Sequence, residues 1–304
     1  MTKRNQMIKL LILSLLLVFS LTSCTNDTSY PGTMNVVEAS KVVEDLASNP
    51  DVIVIDAREE EAYNKGHVDG AICLTHTELS TDQPVSMMLP SKEQLEKTLG
   101  GKGISNDSVI YVYDDNQGIF AARIWWTLKI FGHENVMIVN GGSNALVKAN
   151  APLAIETTTL PATEYVAKAA DLSTVATYDD MVALAENPVE GVVILDVRSL
   201  AEYQAGYIPG AILYPHTKNV YSDDTFMSSR DLGLFYKEAG IKKEDTIIIY
   251  CKSSVRATQT MALLQEAGYE NLKVYDGAWL EWETKTDVII PVEEVAPVGP
   301  SDGS

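Results

Sequence analysis

Short continuous apolar runs, each cut off by a polar turn, recur along this chain. Val52-Ile-Val-Ile ends at Asp56, Val109-Ile-Tyr-Val-Tyr at Asp114, Val192-Val-Ile-Leu at Asp196 and Ile247-Ile-Ile-Tyr at Cys251. Runs this short, rich in β-branched residues and apolar throughout, predict strands of a mostly parallel sheet covered by helices on both faces. Helical spacing lies between them. Ser91-Lys-Glu-Gln-Leu-Glu-Lys-Thr-Leu reads as a helix behind an N-cap serine, and Val255 to Ala267 as another closed by Gly268. Strand, helix, strand, helix is the order, and it predicts an α/β fold.

The chain then repeats itself. Asp56-Ala-Arg58 recurs as Asp196-Val-Arg198, and Gly70-Ala-Ile as Gly210-Ala-Ile, both 140 positions on (196 − 56 and 210 − 70). Tyr113 recurs as Tyr250, 137 positions on (250 − 113), a drift that a few extra loop residues in the first copy explain. Self-similarity on this scale marks a duplicated domain. The reading is two tandem domains, 34–150 and 175–292, joined by a Pro-, Thr- and Ala-rich linker over 151–174. A tail over 293–304, rich in Pro, Gly and acids, is expected to be disordered.

The 304 residues are 46% hydrophobic, enough for two domains with a core each. The N-terminus stands apart. Lys3, Arg4 and Lys9 precede an apolar stretch, Leu10 to Leu21, shorter than the ~20 residues a membrane-spanning helix needs. Leu21-Thr-Ser-Cys24 then resembles a bacterial lipoprotein cleavage box. That resemblance implies a signal peptide over 1–23, lipidation at Cys24, and a folded part tethered to a membrane outside the cytoplasm. It would face the periplasm if the host has an outer membrane. An uncleaved transmembrane anchor is the alternative. Loss of three cations takes the formal charge from −19 to −22 (−19 − 3), a surface that argues against a nucleic-acid partner.

Besides Cys24 there are two cysteines. Cys73, in Gly70-Ala-Ile-Cys-Leu, is most simply a core residue, and no disulfide framework is implied. Cys251 is different. An apolar strand stops at it, Lys252-Ser253-Ser254-Val255 follow, and Arg256 opens a helical pattern. A strand–loop–helix turn of this kind aims backbone N–H groups at one sulfur, beside a helix N-terminus and a guanidinium. All three favour the nucleophilic thiolate. A small buried hydrophobe is the bland alternative.

Taken together, these elements resemble the rhodanese family. The residues that carry the resemblance are the repeated Asp-x-Arg strand, Gly206-Tyr-Ile-Pro-Gly210-Ala-Ile, the loop from Tyr250-Cys251 to Arg256, and Asp276-Gly-Ala-Trp279. The duplicated arrangement is similar to tandem-domain thiosulfate sulfurtransferases. The resemblance runs from about Met34 to Val292 and implies a doubly wound α/β sheet, with the active loop at the C-terminal end of a central strand. It further implies two-step chemistry without a cofactor or metal. Cys251 takes the outer sulfur of a donor such as thiosulfate and releases sulfite; cyanide or a thiol then removes the sulfur. Expected anion donors are the amides of Ser253, Ser254, Val255 and Arg256, with the Ser253 and Ser254 hydroxyls as supplements. Lys252 would attract an anionic donor or simply be a solvated lysine.

Two roles stand open for Arg256: closing the loop around the anion, or pairing with Asp196 or Glu202 to brace it. Asp196 and Arg198 read as structural support, because they recur as Asp56 and Arg58 in a copy without a cysteine. In that copy Asp114 holds the cysteine's position, so the first domain is expected to be inactive, with Asp114 and Asp115 in a solvated loop. One departure from the family concerns the donor. Some two-domain members carry a donor-orienting arginine where this chain has Glu202. Rhodanese-like phosphatases use a loop one residue longer, and 3-mercaptopyruvate enzymes a Cys-Gly-x-Gly-Val-Thr loop; neither matches here. The remaining readings are a sulfur carrier with little turnover and a 3-mercaptopyruvate sulfurtransferase. A monomer is expected. The four histidines show no metal spacing, and Trp125, Trp126, Trp279 and Trp282 read as core or interface residues.

Overall fold

The computed structural model describes Tyr30, Gly32 and residues 34–285. The expected signal peptide 1–23, the lipidation site Cys24 and the tail 293–304 lie outside the described residues.

In the first half the strands are β1 (Val36–Val37), β2 (Val52–Asp56), β3 (His67–Val68), β4 (Ile72–Cys73), β5 (Val109–Tyr113), β6 (Val136–Val139) and β7 (Leu153–Ala154). The second half has β8 (Val175–Ala176), β9 (Val192–Asp196), β10 (Ile212–Leu213), β11 (Thr246–Tyr250) and β12 (Leu272–Tyr275). One sheet runs β1-β6-β5-β2-β4 and the other β8-β12-β11-β9-β10, so equivalent strands stand in the same order. Every pairing within these two sheets is parallel. The central strands end in step: Asp56 pairs with Tyr113 and Asp196 with Tyr250. That register places the next residue of each inner strand, Asp114 or Cys251, at the C-terminal edge of its sheet.

The helices of the first half are α1 (Ala39–Ser48), α2 (Glu60–Lys65), α3 (Lys92–Gly101), α4 (Ile119–Ile130) and α5 (Gly142–Lys148). Those of the second are α6 (Tyr178–Glu186), α7 (Leu200–Ala205), α8 (Ser229–Glu238), α9 (Val255–Glu266) and α10 (Ala278–Lys285). Ser91 caps α3 by accepting the Gln94 N–H. The cores depart from the expectation of one per domain. On its outer face each sheet has a private cluster, around Val54 and Leu146 in one half and Ile194 and Trp282 in the other. On the inner faces a single cluster runs through both halves, from Ile110 and Trp126 to Ile249 and Met261. The equivalent helices α4 and α9 meet at its centre, which is why both are buried almost all round.

The 151–174 segment is more than a tether. β7 pairs antiparallel with β3, Tyr165 is buried against His133 (Oη to Nδ1 3.1 Å), and Asn106 and Val166 exchange two hydrogen bonds. The segment is fastened along the first half before it enters β8.

Candidate active site

A shared frame underlies both loops. Asp196 takes the Arg198 Nε at 2.9 Å and the Tyr250 hydroxyl at 2.6 Å, while Arg198 Nη2 donates to the Gly206 carbonyl at 2.6 Å. The Tyr250 oxygen accepts the Ile208 N–H at 3.2 Å. Asp56, Arg58, Gly66, Tyr113 and Val68 repeat this set with matching partners. Buried charges in such a frame are tolerable because each is paired and hydrogen-bonded. The Asp-x-Arg pair therefore fixes the strand end and the turn into α2 or α7. In the second half, Trp279 also lies over the Arg198 guanidinium, 4.4 Å away.

Cys251 follows directly on β11 and is fully buried. The Trp279 N–H donates to its carbonyl and the Leu280 N–H to that of Lys252, both at 3.0 Å, which ties the loop to the start of α10. Ser254 caps α9 in the left-handed region at φ +64°, where a side chain costs about 1 kcal/mol. Its hydroxyl donates to the Ser253 carbonyl at 2.6 Å and bonds Asp276 Oδ1 at 3.0 Å. The expected role of that hydroxyl as an anion donor is thus corrected: it is already engaged and serves the loop. Among the described residues the amides of Ser253, Ser254, Val255 and Arg256 donate to no protein acceptor.

The structure chooses between the two partners weighed for Arg256. Its guanidinium forms a two-pronged pair with Glu202, both contacts at 2.8 Å, while Asp196 is held by Arg198. Burial works against the Arg256 charge, but Glu202 and the neighbouring Cys251 outweigh it and hold the guanidinium's pKa above its ordinary value. Glu202 is pulled down to about 2, chiefly by the Arg256 hydrogen bonds. It also closes a capping box with Ser199 at the start of α7. Lys252 is exposed.

The first copy reveals what such a loop of amides accepts. Asp114 is buried rather than solvated, which overturns the sequence expectation. Its Oδ1 accepts the Asn116 and Gly118 N–H groups at 2.8 Å, and its Oδ2 those of Phe120 and Ala121 at 2.9 and 3.0 Å. Burial raises its pKa while these four amides oppose the rise. Asp115 is the exposed partner, 4.0 Å from Arg58. One more residue separates Asp114 from the N-cap Gly118 than separates Cys251 from Ser254.

One residue departs from the sequence reading and another falls outside it. Cys73 is half-buried rather than core; it lines a groove of about 560 Å³ with Glu78 and Lys102, and burial pushes its thiol up to about 11. Arg123, from the first half, is fully buried and reaches Ser254 Oγ and Asp276 Oδ1, both at 2.9 Å. A sequence signal for it existed: one arginine inside Ile119-Phe-Ala-Ala-Arg-Ile-Trp-Trp, an otherwise apolar run.

Known proteins place this geometry. The rhodanese-like domain family matches residues 39–149 and 177–285. The protein named "Putative thiosulfate sulfurtransferase" of Mycolicibacterium smegmatis is 33% identical over 252 residues, 77% of this chain and 89% of the relative. The sulfur carrier protein TtuD of Thermus thermophilus is 32% identical over 266 residues, 81% of this chain and 93% of that protein. Among solved structures, SseA from Escherichia coli, described as a 3-mercaptopyruvate sulfotransferase, matches with a TM-score of 0.73 at 28% identity. The match covers 81% of this chain and 99% of SseA. The chain belongs to the rhodanese family, with two rhodanese-like domains in tandem and the cysteine-bearing loop in the second.

Proposed function

We propose that this sulfurtransferase takes its sulfur from thiosulfate and carries it as a persulfide on Cys251. In the first step the Cys251 thiolate attacks the outer sulfur, the sulfur–sulfur bond of the donor breaks, and sulfite leaves with the bonding pair. In the second, cyanide or a thiolate attacks the terminal sulfur of the persulfide and returns the Cys251 thiolate. Negative charge sits on sulfur before and after each step, so donors fixed in advance lower the barrier without reorganising. The observation that carries the reading is the pair of loops: amides of the first loop hold the Asp114 carboxylate, whereas those of Ser253 to Arg256 beside Cys251 donate to no protein acceptor among the described residues.

Thiosulfate is supported by the names of the mycobacterial relatives and by the compact loop, which suits one sulfur atom. The likeness to SseA favours 3-mercaptopyruvate as the second reading. Comparing the two donors on purified protein decides between them. Thiosulfate is expected to add one sulfur mass to Cys251, removable by cyanide, and to sustain thiocyanate formation; the Cys251→Ser variant should do neither. A variant with full activity would end the proposal. Loading without turnover would instead mark a carrier like the Thermus relative. The protein is further proposed to sit outside the cytoplasm on a lipid at Cys24, which a Cys24→Ala variant should release from the membrane fraction.

A further inference from the structure

Arg123 belongs to the half without a sulfur nucleophile, and its side chain ends in the half that has one. Nη1 donates to Ser254 and Asp276, and Nη2 to the Met87 carbonyl. Asp276 uses its other oxygen to accept the Leu89 N–H at 2.8 Å. The guanidinium is therefore part of a buried junction between the Cys251 loop and the Thr81–Met88 hairpin of the first half.

The same junction exists in mirror form. Arg123 is the fifth residue of α4, and Gln259 the fifth residue of α9. Gln259 Nε2 crosses the interface to the Gln117 carbonyl at 2.8 Å, next to the N-cap Gly118. Asn140, the equivalent of Asp276, accepts the Phe226 N–H at 2.7 Å from the Val220–Phe226 hairpin of the second half. Each half braces the other's loop from equivalent positions, as a pseudo-twofold interface requires.

The chemistry breaks this symmetry. At the mirror junction the two positions hold neutral side chains, Gln259 on the Gln117 carbonyl of the Asp114 loop and Asn140 between the Phe226 N–H and Glu38, whereas an ion pair, Arg123 and Asp276, serves the Cys251 loop. The neutral side chains join the halves without an ion pair between them, and burying a charge is unfavourable unless it is paired and hydrogen-bonded. The N-caps differ in the same sense. Gly118, at φ +76°, tolerates the left-handed conformation unaided; Ser254, at φ +64°, carries a side chain there, and its hydroxyl is the group Arg123 grips. Ser254 stands in the middle of the loop amides, Ser253 to Arg256, that among the described residues donate to no protein acceptor.

We infer that Arg123 is a positioning residue for sulfur transfer, holding Ser254 in its left-handed conformation so that the loop amides converge on Cys251. The inference rests on the sulfur-transfer reading above. The Arg123→Gln/Asp276→Asn variant copies the neutral junction of the other half, so no charge is left buried alone. Single-turnover persulfide formation from thiosulfate should fall roughly ten- to a hundredfold, the scale of losing a group that orients a reacting one, with half-saturating donor concentration unchanged. Arg123→Lys keeps Asp276 paired but lacks the fork that reaches Ser254 as well; it should fall in the same direction, and it serves if the double variant does not fold. Gln259→Ala, at the mirror position, should lower melting temperature without slowing loading. Wild-type loading rates in the Arg123 variants, or an equal loss in Gln259→Ala, would overturn the inference. Wild-type protein that never loads sulfur would instead sink the functional reading beneath it.

Discussion

Asp114 and Cys251 each stand one residue past the end of equivalent strands, in loops that enter equivalent helices. The first loop is one residue longer and folds its amides around its own carboxylate, four N–H groups on two oxygens. The second has the sulfur in that place, and among the described residues the Ser253 to Arg256 amides donate to no protein acceptor. A turn that satisfies a fixed anion is structural; the same turn without one is a device for an anion that comes and goes. On the proposed sulfur-transfer reading, duplication left one half to solve a folding problem and the other a chemical one. Copying the first solution into the second is the sharpest way to break this comparison. Cys251→Asp should fill the loop with a carboxylate and abolish thiocyanate formation, a drop of roughly a thousandfold or more, while the melting transition stays cooperative. Residual transfer at a tenth of the wild-type rate would mean another group carries the sulfur.

The reverse experiment weakens the structural half. Asn has one acceptor oxygen and two donors, so Asp114→Asn sets an NH₂ group against the Phe120 and Ala121 or the Asn116 and Gly118 amides. Leaving such buried donors unpaired should destabilise the protein by about 3 kcal/mol in urea unfolding, with persulfide loading on Cys251 retained. Equal stability in the variant would show that the four amides do not depend on the carboxylate.

The shared frame offers a third comparison, in which the halves should agree. Tyr113→Phe and Tyr250→Phe each delete a buried hydroxyl bonded to an aspartate at 2.6 Å. Both should lose about 2 kcal/mol of stability, since the acceptor is charged. Only Tyr250→Phe should also slow sulfur loading, because Tyr250 is covalently joined to Cys251. Unequal stability losses would show that the frames, though geometrically alike, carry different loads.

Which of these features the sequence reveals follows from how local they are. The strands, the duplication and the Cys251 loop are written in contiguous residues: Ile247-Ile-Ile-Tyr250 is a short β-branched run bounded by polar residues, and a cysteine at its end with Arg256 beyond predicts the turn. Glu202 as a partner of Arg256 is half legible, since motif spacing brings it near but cannot choose it over Asp196. Asp114 is misread because an Asp-Asp-Asn sequence is polar, while the turn that folds the Asn116, Gly118, Phe120 and Ala121 amides around its carboxylate is a three-dimensional feature that composition does not show. Arg123 is legible only as an anomaly, a charge in an apolar helix. Its partners Ser254, Asp276 and Met87 lie as far as 153 residues along the chain. The fastening of residues 151–174 to the first half is equally non-local.

The smallest predicted effect concerns the Arg256–Glu202 clamp, which the first half lacks altogether. Ala62 stands at the position of Glu202 and Phe120 at that of Arg256, and Phe120 stacks on His76 instead, ring centroids 4.6 Å apart. Acid sensitivity from this contact therefore belongs to the second half alone. Glu202 has a folded-state pKa of about 2 against an ordinary 4.5, held down first by Arg256. A carboxylate depressed by folding contributes stability that is complete above its ordinary pKa and is lost as pH falls toward the folded value. Because the pair is partly exposed, solvent screening limits its worth to about 1 kcal/mol. Glu202→Gln should accordingly be less stable than wild type by about that amount at neutral pH, and the gap in urea midpoints should close between about pH 4.5 and pH 2. A gap that persists unchanged at pH 2 would assign the loss to the capping box with Ser199, and the clamp would then be a contact without a charge dependence.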